Sequence, residues 1–252
     1  MILEENNLYR KAVAKELEEW EEKIMKEPTL AGLLSKRVQT KTHSLMPKKI
    51  QDAITLAVKG MVESVLTASS YLTKTEPASS PSLAEGDFLV EKAYQNYYKT
   101  AVVQGVGFGL GGILINLADF PALLAVKTKF LFDCAKLYGF DIDDPSERVF
   151  MLYVFQLAFS SDRRRREILG IVKEWDRRPK ETATDWKKLQ MEYRDFLDIS
   201  KLLQVLPVVG AVAGGVANYN LMQKLKVTAM NSYRLRLLSQ ERQKGEQPDE
   251  YI

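Results

Sequence analysis

Apolar residues recur at helical spacing along most of the chain, and no stretch alternates long enough to suggest a sheet strand. In residues 3–26, Tyr9, Val13, Leu17 or Trp20, and Ile24 fall three or four apart, with Glu and Lys between them. That spacing predicts an amphipathic helix, which Pro28 and Gly32 interrupt. A second stripe, Ile50, Ile54, Ala57, Met61 and Val65, predicts a helix that starts near Pro47 and fades over 71–75. TEPASSPSLAEG, residues 75–86, has no period and is rich in turn formers, so it reads as a loop. A short helix over 87–99 is expected next, leading into the least polar stretch, 101–126.

Downstream, Asp144 is placed to cap a helix, Pro145 to occupy its first position, and Glu147 to complete a capping box. Residues 163–166, all arginine, open another helix whose inward face holds Ile168, Val172 and Trp175. A long helix is expected from about Asp185, with Trp186, Leu189, Tyr193 and Phe196 as its stripe and Pro207 as its stop or kink. The last helix is expected over 210–239, with a frayed polar tail over 241–252. The fold predicted is all-α: one compact multi-helical domain over residues 1–252, with two Gly-rich apolar helices packed centrally.

Residues 101–126 are long enough for a bilayer span, and Gly105 with Gly109, and Gly107 with Gly111, have the spacing of closely approaching helices. Gln104, Asn116, Asp119 and Pro121 argue against a simple span, because an ionised Asp deep in lipid needs a partner. A buried helical hairpin uses the same features, with Asn116 and Asp119 satisfying backbone groups at a bend or facing a small polar pocket. Reversible insertion is a third reading, in which Arg163, Arg164, Arg165 and Arg166, with Lys224, Lys226, Arg234 and Arg236, meet acidic headgroups. GLGGILIN (109–116) is echoed by GAVAGGVAN (210–218), either by duplication or because two Gly/Ala-rich helices pack together.

Composition narrows the chemistry. A net charge of +3 over 252 residues gives no reason to expect a nucleic-acid partner. Cys134 is the single cysteine and His43 the single histidine, so neither an internal disulfide nor a His-rich zinc site can be built. Both are read as structural. GVGFGLGG lacks the strand–turn–helix setting of a dinucleotide loop and the Lys-Ser/Thr ending of a phosphate loop, so no cofactor is expected. Asp141, Asp143 and Asp144 do not have calcium-loop spacing and read as caps. No catalytic residue or metal ligand set is assigned. The charged opening MILEENNLYRKAVAKELEEW lacks a signal peptide's apolar core, so a cytoplasmic location is expected.

GLGGILINLADFPALLAVKTKFLFDCAKLYGFDIDDPSERVFML resembles the central block of the EcsC protein family, and LPVVGAVAGGVANYNLMQKLKVTAMNSYRLRLL resembles its C-terminal Gly/Asn block. The family-like positions are Gly111, Gly112, Asp119, Pro121, Tyr138, Gly139 and Asp141, then Pro207, Gly210, Gly214, Gly215 and Asn218. Phe120, between Asp119 and Pro121, departs from the more usual DIP-like form. The ordered resemblance runs over most of 45–240. It implies an accessory or regulatory protein associated with an ABC-type exporter, acting at the cytoplasmic membrane face without an enzymatic mechanism. A membrane protein or anionic lipid is the expected partner, contacted through Arg163, Arg164, Arg165 and Arg166. The alternative is a small-ligand or lipid-binding domain, with a hydrolase activity left open and a polar pocket at Asn116, Asp119 and Asn218. A soluble structural or oligomerisation module is the third reading, and the oligomeric state is not fixed by the sequence.

Overall fold

The computed structural model describes residues 2–26, 48–68, 74–108, 120–160, 162–177 and 211–246. Seven α-helices and one 3-10 turn form among these residues, with no strand. They are α1 (Ile2–Met25), α2 (Lys48–Leu66), α3 (Leu83–Phe108), α4 (Phe120–Leu137), α5 (Pro145–Phe159), α6 (Asp162–Lys173), the 3-10 turn Trp175–Arg177, and α7 (Ala211–Glu246). The expected helix after 185, together with His43, Asn116, Asp119, Pro207 and Gly210, lies outside the described residues.

The stripe predicted for the first helix is the one α1 buries: Val13, Leu17, Trp20 and Ile24 all face the core. On α2 the buried residues are Val58, Met61, Val62, Val65 and Leu66, packed on α4 and α5. The helix expected over 87–99 is longer at both ends. It starts at Leu83, where the Ser82 hydroxyl accepts a hydrogen bond from the Glu85 N–H at 3.2 Å, and it runs into the apolar stretch as far as Phe108. The loop is therefore shorter than 75–86. Gly86 is a packing glycine inside α3, not a turn signal: a Cβ there would lie 2.6 Å from the Tyr138 ring.

α4 ends in a Schellman motif. Gly139 adopts φ +80°, its N–H donates to Lys136 O, and the Phe140 N–H donates back to Ala135 O. Pro81 presses on the same glycine, so a Cβ at 139 would meet its Cδ at 2.8 Å. The Ala78 N–H and the Lys136 ammonium reach across this junction, to Lys136 O and Thr75 O respectively, and strap the loop before α3 to the end of α4.

Asp144 caps α5 as predicted, its carboxylate accepting from the Ser146 N–H at 2.8 Å with Pro145 at the helix start. α5 is buried almost all round, every residue from Val149 to Phe159 included, and is the central helix of the described core. α6 buries Ile168, Leu169 and Val172, while Trp175, just beyond it, packs against Phe150 and Tyr153. α7 is 36 residues long, extends past the expected end at 239, and takes in the first six residues of the stretch expected to fray. It lies chiefly along α3 and also touches α1, α4, α5 and α6.

Candidate functional site

Toward the C-terminus of α7 the buried face turns from apolar to polar. Met222, Leu225, Ala229 and Tyr233 continue at helical spacing into Arg236, with Thr228, Asn231 and Ser232 also buried. A charge on that register must find a partner, because an isolated buried ion is far more costly than a paired one. Two arginines, on different sides of the helix, do so.

Arg234 holds α3 and α1. Its Nε donates to both Asp87 oxygens at 3.0 Å, and its Nη1 donates to Glu16 and Asn231, each at 3.1 Å. Asp87 is 5% exposed and also accepts from the phenols of Tyr9 (2.6 Å) and Tyr138. Burial and then Asp87 push the Tyr9 phenol up to about 12. Burial pulls Arg234 down, but Asp87 outweighs it and leaves the guanidinium raised.

Arg236 holds α5 and the 3-10 turn. Nη1 donates to Glu147 at 2.6 Å, while Nε and Nη2 form a fork on Asp176. The guanidinium stacks between Phe140 and Phe150, 4.0 and 4.3 Å from their centroids. Glu147 also accepts from the Tyr233 phenol at 2.8 Å. Burial pushes this carboxyl up while Arg236 and Tyr233 pull against it. The capping-box role expected of Glu147 is thus replaced by a buried ion pair. Tyr138 and Tyr233 stack with centroids 5.4 Å apart and join the two clusters. Cys134 is fully buried nearby; burial, then Asp87, Asp133 and Glu147, push its thiol well up and keep it from acting as a thiolate nucleophile.

These pairs correct the expectation that Lys226, Arg234 and Arg236 face headgroups. Arg234 and Arg236 are committed to the interior, and Lys226 donates to Glu91 at 2.6 Å while lying over the Tyr94 ring. Lys224, half-buried on the same helix, makes no side-chain hydrogen bond or ion pair among the described residues. Burial and then Arg165 lower its ammonium to about 8, with Asp162 opposing.

The four arginines of α6 do not form one patch, since consecutive helical positions point about 100° apart. Arg163 and Arg164 share Glu167, at 3.5 and 2.7 Å. Arg165 turns back and donates from Nε to Leu157 O at 3.0 Å, near the C-terminus of α5. Arg166 has Nη1 sealed from solvent with no hydrogen-bond partner among the described residues. Asn218 lies in the first turns of α7, where only the backbone is described, so its distance to the other two pocket residues is not defined.

A second feature is almost wholly apolar. Met61 and Val65 of α2, Leu131 and Phe132 of α4, and Met151, Leu152 and Phe155 of α5 meet along a seam with no room for a water molecule. Thr128 also lines it, and its hydroxyl has no hydrogen-bond partner among the described residues. Among the described residues no three His, Cys, Asp or Glu side chains assemble as a metal set, and no helix is long and apolar enough to cross a membrane.

Sequence reasoning missed Tyr9, Asp87, Asp176 and Tyr233 as network members. The available signal was register: Asp87 falls on the buried stripe Leu83, Asp87, Val90, Tyr94, and Arg236 follows Tyr233 on that of α7. A charge at a core position announces a partner without saying which.

The EcsC protein family model matches residues 11–238 of the chain. Protein EcsC of Bacillus subtilis (strain 168) is 43% identical over 222 residues, covering 88% of this chain and 93% of that protein. Uncharacterized protein YdbA of the same organism is 30% identical over 246 residues, covering 88% and 90%. No solved structure matches.

Proposed function

Since the chain belongs to the EcsC protein family, we propose that it is a non-enzymatic accessory or regulatory protein at the cytoplasmic face of the membrane, serving an ABC-type exporter. The observation that carries the non-enzymatic part is where the reactive side chains go. Asp87, Glu147, Tyr138 and Tyr233 are buried and bonded to one another or to Arg234 and Arg236. Groups held this way fix helix positions; a general acid or base must instead reach a substrate.

In this reading residues 1–252 form one domain in which the Gly-rich stretches around 101–126 and 210–218 pack centrally against each other. The partner is a membrane protein or anionic lipid. Arg163, fully outward on α6, gives the arginine run its most accessible charge, at 89% side-chain exposure. The test is gradient fractionation of the untagged protein in its native cell, followed by salt and alkaline washes of the membranes. Sedimentation with membranes and release by either wash is expected. Quantitative recovery in the soluble fraction at low salt would overturn the proposal.

A further inference from the structure

We draw no further inference here: the strongest candidate, the side-chain amide of Gln156 on the central helix α5, is buried with neither its oxygen nor its nitrogen hydrogen-bonded among the described residues, but nothing in the structure shows what meets it.

Discussion

The C-terminal half of α7 and the helix α2 both bury a helical face, yet they are held in different ways. α7 is cross-linked to α1, α3, α5 and the 3-10 turn by Arg234, Arg236 and Tyr233. From α2, no side-chain hydrogen bond or ion pair to another helix is found among the described residues; Ser64 and Thr67 donate only to carbonyls of their own helix. Its contact is Val58, Met61, Val62 and Val65 on α4 and α5. Apolar packing gives free energy with little directional demand. Buried ion pairs add little net stability, but they penalise any arrangement that separates the partners. The two regions therefore differ in how cheaply each can open.

The largest effect expected is from Glu147→Ala, which strands Arg236 in the core and removes the acceptor of the Tyr233 phenol. Stability should fall by about 3–5 kcal/mol, measured by urea unfolding. Met61→Ala, on the apolar side, should cost about 2–3 kcal/mol, because it removes apolar contact and strands no charge. A loss as large as that of Glu147→Ala would erase the contrast between the two regions.

Lys224→Met should stabilise the protein at pH 7 by about 1–2 kcal/mol, after discounting for solvent screening of a half-buried group. The sign follows from its lowered ammonium: between about 8 in the folded protein and about 10.4 unfolded, the unfolded chain binds more protons. The burial penalty is therefore complete below pH 8 and disappears as pH rises toward 10.4. Unfolding curves of both proteins across pH 7–10.5 should converge. The smallest effect is Thr128→Val, which deletes a hydroxyl without a partner and should add about 1 kcal/mol, read as a shift in the urea midpoint.

Much of the fold was legible because helical periodicity reports burial directly. The stripe of α1, the Asp144–Pro145 start of α5, the inward face of α6 and the buried Cys134 all stand where the residues imply. The start of α3 was written in the sequence as Ser82 and Glu85, a capping box obscured by the surrounding Pro and Ser. Gly86 carries no local sign of its role, because only the tertiary approach of Tyr138 makes a side chain there unworkable. Glu147 fits a capping box locally and an ion pair globally, and burial decides in favour of the pair. The same limit applies to Arg234 and Arg236. Their face can be read from spacing, but Asp87 and Asp176 lie 147 and 60 residues away, and no local pattern names them.

The contrast between the two regions is tested most directly by native-state hydrogen exchange, comparing amides of α7 over 225–240 with those of α2 over 58–66. The ion-paired helix should exchange only through global unfolding, with a denaturant dependence matching the whole protein. The α2 amides should exchange through a smaller opening with a shallower dependence. Equal protection and equal denaturant dependence in the two segments would contradict the account.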